Sequence, residues 1–203
     1  MVDVSESKAR APLRGTHPWH GINPELADGR LLAFIENTQH DQMKLEVDSR
    51  SGYLKVDHPL QTSALPPYAY GFIPQTLCGR RLASLGSGTR GDQAPLDVFV
   101  LSEHPIPLPG VLAEIRIVGG IPTQDETRAD DKLIGILHRD PALGEVADID
   151  DVPIHMIERI AHFIEQTSTD HSSVVGSPFD AARAKSVLQA ALADYRDRYD
   201  PGA

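Results

Sequence analysis

Short apolar runs, separated by proline, glycine and polar residues, dominate the chain up to residue 137. Residues 44–48 alternate strictly between charged and apolar side chains, and a second run returns after residues 49–52. The pair therefore predicts a β-hairpin whose turn places Gly52 at positive φ. Five or six strands of this length and spacing predict a closed or nearly closed barrel rather than an α/β layer fold. The predicted strands are residues 31–36, 44–48, 53–57, 98–101, 111–118 and 133–137.

Two amphipathic stretches near the end of the chain predict helices. The first runs from Pro153 to about residue 166, with Asp151 as its cap, and the second runs from about residue 177 to 198. We interpret both apolar stripes as core rather than catalytic surfaces. The residues expected to face the core are Ile154, Ile157, Ile160, Ala161 and Ile164 in the first helix, and Ala184, Val187, Leu188, Ala191, Leu192 and Tyr195 in the second.

Three stretches lack a regular period. Residues 1–15 are polar and predict a mobile tail, which leaves one domain over residues 16–199. Residues 65–74 carry three prolines and three aromatic residues, and they predict a rigid loop across the core rather than a central strand. Residues 79–90 are rich in glycine, serine and arginine and predict an exposed insertion. Its three arginines either fold over a site or stay solvated; they are Arg80, Arg81 and Arg90.

The segment from His17 to His20 holds two histidines around Pro18 and Trp19. Two histidines three residues apart are candidate metal ligands, but no other histidine or cysteine lies near them in the sequence. We favour an aromatic loop that is pinned to the body of the domain.

Composition narrows the class of protein. A chain of 203 residues with 40% hydrophobic residues has enough length to bury a core as one domain. The formal net charge of -10 argues against nucleic acid or an anionic membrane as a partner. Cys78 is the single cysteine, so no intramolecular disulfide can form. Without an apolar run of about 18 residues, we expect a soluble cytoplasmic protein that does not cross a membrane.

Acidic residues concentrate in two places. Asp92 and Asp97 precede the strand at residues 98–101, and the run 123–132 supplies Asp125, Glu126 and further acids. Carboxylates that converge repel one another unless a cation lies among them, and oxygen ligands suit Mg²⁺ or Mn²⁺. The two runs predict a metal-dependent phosphoryl-transfer site.

Ordered motifs over residues 16–199 resemble the soluble inorganic pyrophosphatases of the metal-dependent, single-domain β-barrel type. The resemblance implies a mainly β protein with α, built as a closed five-stranded, OB-like barrel with two C-terminal helices packed on it. It also implies a homo-oligomer. The motifs are His17-Pro-Trp-His20, Phe34-Ile-Glu36, Lys44-Leu-Glu46-Val-Asp48, Ser51-Gly52, Tyr70-Gly-Phe-Ile-Pro-Gln-Thr76, the stretch from Asp92 to Asp97, Asp125-Glu126, Asp130-Asp-Lys132-Leu-Ile-Gly and His162-Phe163-Ile-Glu165.

The resemblance also assigns roles to residues. It implies that Lys44 and Tyr70 hold the phosphoryl group under attack, with Lys132 beside them. Metal ions, Mg²⁺ or Mn²⁺, would polarise the phosphoryl oxygens and lower the pKa of the attacking water. Glu46 and His58 are candidates for a base, and His58 is also a candidate to contact substrate. The implied metal ligands are Asp92, Asp97, Asp125 and Asp130, with Glu36 as an outer or later ligand.

The chain departs from the family pattern at several positions. In the family motif Asp-x-Asp-Pro-x-Asp, the middle acid is the usual candidate for the base. In this chain, Ala94 occupies that position. His58 replaces an arginine, Pro66 replaces a tyrosine, and Thr167 with Ser168 replaces a tyrosine and lysine pair. In the family, the lost arginine, tyrosine and lysine hold the leaving phosphate.

Three hypotheses follow from this pattern. The first is a metal-dependent phosphohydrolase whose phosphorylated small-molecule substrate is an organic phosphate or diphosphate instead of inorganic diphosphate. The second is a weakened inorganic pyrophosphatase. The third is a non-catalytic relative that binds metal or a phosphorylated ligand as a partner or regulatory protein. Complete retention of the metal-binding acids favours the first two.

Overall fold

The computed structural model describes residues 17–39, 41–86, 90–125, 128–167 and 174–200, with only the backbone described at Asp125. The tail predicted at residues 1–15 lies outside these ranges, as do Glu126 and Ser168. The strands are β1 (Leu31–Asn37), β2 (Met43–Val47), β3 (Leu54–Pro59), β4 (Ala69–Ile73), β5 (Arg90–Gly91), β6 (Leu96–Leu101), β7 (Leu112–Ile121), β8 (Thr123–Asp125), β9 (Arg128–Ala129), β10 (Lys132–Leu137), β11 (Val174–Val175) and β12 (Phe179–Asp180). The helices are α1 (Arg80–Leu85), α2 (Ile154–Thr167) and α3 (Ala181–Tyr199), with a short 3-10 helix at Ile149–Asp151.

Five strands form a closed barrel in the order β1, β4, β6, β10 and β7. Closure is made by β1, which pairs antiparallel with β4 on one side and with β7 on the other. The pair of β6 and β10 is parallel. The short β12 extends the sheet beyond β7. The predicted closed five-stranded barrel, mainly β with α, is therefore confirmed.

The predicted hairpin is formed by β2 and β3, which pair antiparallel with Lys44 opposite His58 and Val47 opposite Leu54. Gly52 in its turn has φ of +75°, a conformation that glycine adopts without steric cost. The hairpin carries Lys44 and Glu46 beside the barrel, which positions both for the site described below.

The segment at residues 65–74 is not the loop that we predicted. It contains β4, a central strand that pairs with both β1 and β6. Its prolines flank the strand without interrupting it, so no ladder hydrogen bond is lost within the strand. Gly71 lets β4 approach β1 closely, since a Cβ built there would lie 1.9 Å from the carbonyl oxygen of Phe34. Pairing in the barrel thus outweighs the local composition.

The stretch at residues 79–90 includes a helix that we did not predict, and five of its nine described residues are exposed. It contains α1, in which Leu82 and Ala83 are buried. The backbone N–H groups of Arg81 and Leu82 donate to the carboxylate of Asp194 on α3 at 3.0 and 3.1 Å. These bonds hold α1 against α3.

The two C-terminal helices cover different faces of the barrel. In α3, all six residues predicted to face the core are buried. In α2, Ile157, Ile160 and Ile164 are buried as predicted, whereas Ile154 at the first turn is 67% exposed. Asp180 caps α3 by accepting from the backbone N–H of Arg183, so the helix begins at Ala181 rather than near residue 177. Within the described ranges, no helix combines the length and apolar character needed to cross a bilayer.

Candidate active site

A large cavity of about 980 Å³ lies between the β2–β3 hairpin and one end of the barrel. Strands β4, β6 and β10 each present a polar residue to it at or near their first position. The cavity brings together eight of the ten predicted site residues. They are Glu36, Lys44, Glu46, Tyr70, Asp92, Asp97, Asp130 and Lys132.

Lys132 occupies the centre of the charge network. Its ammonium donates to Asp97 at 2.7 Å and to both oxygens of Asp130 at 2.9 Å, and the side chain is only 11% exposed. Burial alone would lower the pKa of Lys132, but the charges of Asp130 and Asp97 outweigh it and raise that pKa well above its ordinary value. Tyr70 donates its hydroxyl to Asp97 as well. Three strands are thereby joined by one ionic cluster.

The acids of this cluster are incompletely neutralised. Burial, together with the charge of Asp130, raises the pKa of Asp92 to about 6. Burial also raises the pKa of Asp130, although Lys132 opposes the shift. The pKa of Tyr70 is raised well above its ordinary value by burial and by the charge of Asp97. The site therefore carries an excess of negative charge that a cation would relieve.

Glu36 and Lys44 lie on the hairpin side of the cavity. Glu36 is buried and accepts from the backbone N–H of Val47 at 2.7 Å. Burial raises its pKa to about 8, with a contribution from the charge of Asp97. Lys44 pairs with Glu46 at 2.7 Å, and this bond raises the pKa of Lys44 against the opposing effect of burial. Both side chains are held in place by the β2 strand.

The donor set fits a hard divalent cation in its chemistry. Asp92, Asp97 and Asp130 offer only carboxylate oxygens, the ligands that Mg²⁺ and Mn²⁺ prefer. Among the described residues, however, no group of three His, Cys, Asp or Glu side chains is already arranged around one point. The ammonium of Lys132 lies between Asp97 and Asp130 instead. The side chain of Asp125, the remaining predicted ligand, lies outside the described part of the structure.

A second, smaller cavity of about 230 Å³ adjoins the first. The two share one wall, formed by Lys44, Tyr70, Asp130 and Lys132. His58, the tenth predicted site residue, lines only the smaller cavity, where its Nδ1 lies 3.0 Å from the carboxylate of Asp57. The predicted phosphoryl-holding residues thus stand between two compartments.

Sequence reasoning missed several residues on the wall of the large cavity. Trp19 and His20 reach it from the N-terminal loop, and Arg50 and Lys55 reach it from the hairpin. The indole N–H of Trp19 donates to the carbonyl of Thr76 at 2.8 Å, so the prediction of a pinned aromatic loop is confirmed. The two cations could not be identified from the sequence, because exposed Lys and Arg on a hairpin are ordinary.

Comparison with known proteins identifies the family. The family model described as inorganic pyrophosphatase matches residues 33–196. An inorganic pyrophosphatase of Chlamydia caviae is 33% identical over 201 residues, which cover 90% of this chain and 92% of that protein. This chain belongs to the inorganic pyrophosphatase family. The crystal structure of the Thermus thermophilus inorganic pyrophosphatase aligns with a TM-score of 0.76 at 30% identity, over 90% of this chain and 99% of that one. The structure of the Helicobacter pylori inorganic pyrophosphatase aligns with a TM-score of 0.70 at 32% identity, over 82% of this chain and 94% of that one.

The described positions at which the resemblance implies a departure from the family pattern lie on the walls of the two cavities. His58, Pro66 and Thr167 come from β3, the segment before β4 and the end of α2, yet all three line the smaller cavity. Ala94 lies on the wall of the large cavity, and its backbone N–H donates to Asp92 at 2.9 Å. Its methyl side chain offers no proton acceptor there.

The arginines of residues 79–90 lie outside the described lining of both cavities. Arg81 forms ion pairs with Asp194 and Asp197 on α3. The described lining of the two cavities includes none of Arg80, Arg81 and Arg90. The hypothesis that these arginines fold over the site is therefore not supported by the described structure.

Proposed function

We propose that this protein is a metal-dependent hydrolase of phosphoanhydride or phosphoester bonds. One observation carries the proposal: Lys44, Tyr70 and Lys132 converge on a cavity that also holds the buried Glu36 and the half-buried Asp92, Asp97 and Asp130. Its relatives are named inorganic pyrophosphatases, which hydrolyse phosphoanhydride bonds. The family is generally metal-dependent. Cationic, hydroxyl and carboxylate groups in one cavity are the set that metal-assisted phosphoryl transfer requires.

The residues of the chain would act on the substrate as follows. Lys44 and Lys132 neutralise phosphoryl oxygens, and the Tyr70 hydroxyl orients the group that is attacked. Asp92, Asp97 and Asp130, with Asp125 and Glu36, would hold Mg²⁺ or Mn²⁺. When bound, the cation would polarise the phosphoryl group and make the attacking water more acidic. Glu46 and His58 are the remaining candidates to accept a proton from that water.

Hydrolysis of inorganic diphosphate itself is expected to be weakened. The positions that would hold the leaving phosphate carry His58, Pro66 and Thr167 in this chain. Loss of two or three charge-assisted hydrogen bonds at about 1.5 to 3 kcal/mol each removes roughly 3 to 9 kcal/mol from binding or transition-state stabilisation. Loss of a general base at Ala94 costs about 10²- to 10⁴-fold in rate. The same changes favour a leaving group that is less charged than phosphate.

Phosphate release from inorganic diphosphate with Mg²⁺, and then with Mn²⁺, tests the proposal. We expect release that depends on the metal and that falls by at least about 10²-fold in Asp97→Asn, because the change removes a carboxylate from the cation site. Asp150→Asn is the matched control, since Asp150 is exposed and lines neither cavity. Metal binding without release from any phosphorylated compound would instead support the non-catalytic alternative. Cytoplasmic location remains a prediction from the sequence composition, and homo-oligomerisation remains a prediction from the resemblance.

A further inference from the structure

The smaller cavity differs in chemistry from the large one. Six of the ten described lining residues outside the shared wall are apolar: Met43, Leu60, Pro66, Phe99, Phe163 and Ile164. Lys44 and Lys132 on the shared wall are the two lysines in that lining, and no arginine is described there. Away from the shared wall, a free phosphate ion would lie against these apolar side chains, which is a costly environment for a charge.

Polar residues of the smaller cavity are largely committed to the protein itself. The amide of Asn37 donates to the carbonyl of Met43 at 2.9 Å and accepts from the backbone N–H of Leu45 at 3.3 Å. Thr167 donates its hydroxyl to the carbonyl of Phe163 at 2.8 Å, and Thr123 donates its hydroxyl to the carbonyl of Asp130. These bonds commit the hydrogen-bonding donors of Asn37, Thr123 and Thr167 to the protein, so these three residues offer an occupant few free donors.

The shared wall determines how a substrate would lie. A phosphoryl group at Lys44, Tyr70 and Lys132 borders the acidic cavity on one side and the apolar cavity on the other. We propose that the smaller cavity binds the compact apolar group of a diphosphate monoester. The inner phosphoryl group then lies at the shared wall, and the terminal phosphoryl group, the one attacked, lies in the large cavity within reach of Lys44, Tyr70 and Lys132, which line both cavities. This inference rests on the proposed function and names the class of substrate for that site.

The size of the cavity limits the organic group. A volume of 230 Å³ accommodates roughly seven or eight non-hydrogen atoms, if each takes the ~30 Å³ of a water molecule in the liquid. A benzyl group or a short branched alkyl chain fits this limit. A sugar or nucleoside exceeds it and would leave hydroxyl groups against carbon.

The reaction balances without a further reactant. The oxygen of water forms a bond to the terminal phosphorus, and the bond from that phosphorus to the bridging oxygen breaks. The bridging oxygen keeps the electron pair and leaves as part of the organic monophosphate. The protons of water remain with the released inorganic phosphate or pass to solvent. Because one leaving-group oxygen carries the organic group, the leaving phosphate needs fewer cations than inorganic phosphate does.

Comparison of three substrates in the presence of Mg²⁺ tests the inference: inorganic diphosphate, benzyl diphosphate and glyceryl diphosphate. We expect kcat/KM for benzyl diphosphate to exceed that for glyceryl diphosphate by about 10- to 100-fold, the factor that burial of an aromatic group supplies. Leu60→Glu places a charge in the apolar lining and should reduce this ratio by at least about tenfold. Leu65→Glu is the matched control, because Leu65 is 42% exposed and lies outside the cavity lining.

Binding of analogues that cannot be hydrolysed tests the inference independently of catalytic activity. Benzyl methylenediphosphonate, in which carbon replaces the bridging oxygen, should bind about 10- to 100-fold more tightly than methylenediphosphonate by calorimetry. Leu60→Glu should remove the difference. If inorganic diphosphate is hydrolysed but neither ratio favours the benzyl compound, the inference is overturned and the proposed function stands. If nothing is hydrolysed but the benzyl analogue binds more tightly, the proposed function fails and the apolar cavity remains as a binding site.

Discussion

Replacement of Lys132 by methionine tests whether the acids of the site form one coupled cluster. The ammonium donates to Asp97 at 2.7 Å and to Asp130 at 2.9 Å, and the side chain is 11% exposed. Methionine keeps much of the volume but leaves two largely buried carboxylates without their shared cation. Breaking a buried ion pair by removing one partner costs about 3 to 5 kcal/mol. We expect the metal-free variant to lose about this much free energy of unfolding near pH 7.5.

The pH dependence of that loss follows from the pKa shifts. With Lys132 absent, Asp130 and Asp92 lie in an environment that already raises their pKa values, to about 6 for Asp92. Each folded-state pKa lies above its unfolded value, so protonation below pH 6 relieves the repulsion and favours the folded state. The difference between the variant and the unmodified protein should therefore shrink as the pH falls from 7.5 to 5.5.

Urea denaturation, followed by tryptophan fluorescence or circular dichroism, measures this difference at several pH values. Lys185→Met, at an exposed position on α3, is the matched control and should change the free energy of unfolding by less than about 0.5 kcal/mol. Added Mg²⁺ should restore part of the stability that Lys132→Met loses. A loss below about 1 kcal/mol at pH 7.5, or one that does not change with pH, would refute the coupling argument.

Two further predictions address other parts of the site. Tyr70→Phe removes the hydroxyl that donates to Asp97 and should lower kcat/KM in Mg²⁺ by about 10- to 100-fold with little change in Tm. Steady-state kinetics and thermal unfolding would measure these two quantities. An unchanged kcat/KM would exclude Tyr70 from the reaction. Burial, with a contribution from His17, lowers the pKa of His20 from 6.5 to about 4, so the stability it contributes is present above pH 6.5 and is lost as the pH falls towards 4. His20→Gln should flatten the fall in unfolding free energy between pH 6.5 and 4.5 by about 2 kcal/mol, and equal slopes in the two proteins would contradict this assignment.

Sequence patterns predicted the elements in which side-chain period and packing agree. The alternation in residues 44–48 located strand β2, in which Lys44, Leu45, Glu46 and Val47 are all half-buried. The apolar stripe of α3 identified its buried side chains correctly. The strand within residues 65–74 and the helix within residues 79–90 were not predicted, because proline and glycine content reflects only the local conformational preference of the chain. Strand β4 is stabilised by pairing with β1 and β6, and α1 is held by Asp194, more than 100 residues later in the chain. Such contacts between distant segments leave little signal in a local pattern.

The site was predictable as a set of residue types and less so as an arrangement. Motif spacing identified Asp92, Asp97 and Asp130 as residues of one site, and the large cavity contains all three. The position of Lys132 between Asp97 and Asp130 depends on the parallel pairing of β6 with β10, which joins segments far apart in the sequence. The smaller cavity likewise depends on distant segments, since α2 and β3 both contribute residues to its lining.

The double variant Ala94→Asp, His58→Arg provides the most direct test of the central claim. Both positions line the site without taking part in the Lys132 network. Phosphate release from inorganic diphosphate with Mg²⁺ would be measured for this variant and for the unmodified protein. We predict slow release by the unmodified protein and a gain of at least about tenfold in the variant, since it restores a candidate base and a cation for the leaving phosphate. Fast release by the unmodified protein, with no gain in the variant, would contradict the account and indicate an inorganic pyrophosphatase that holds the leaving phosphate by other residues.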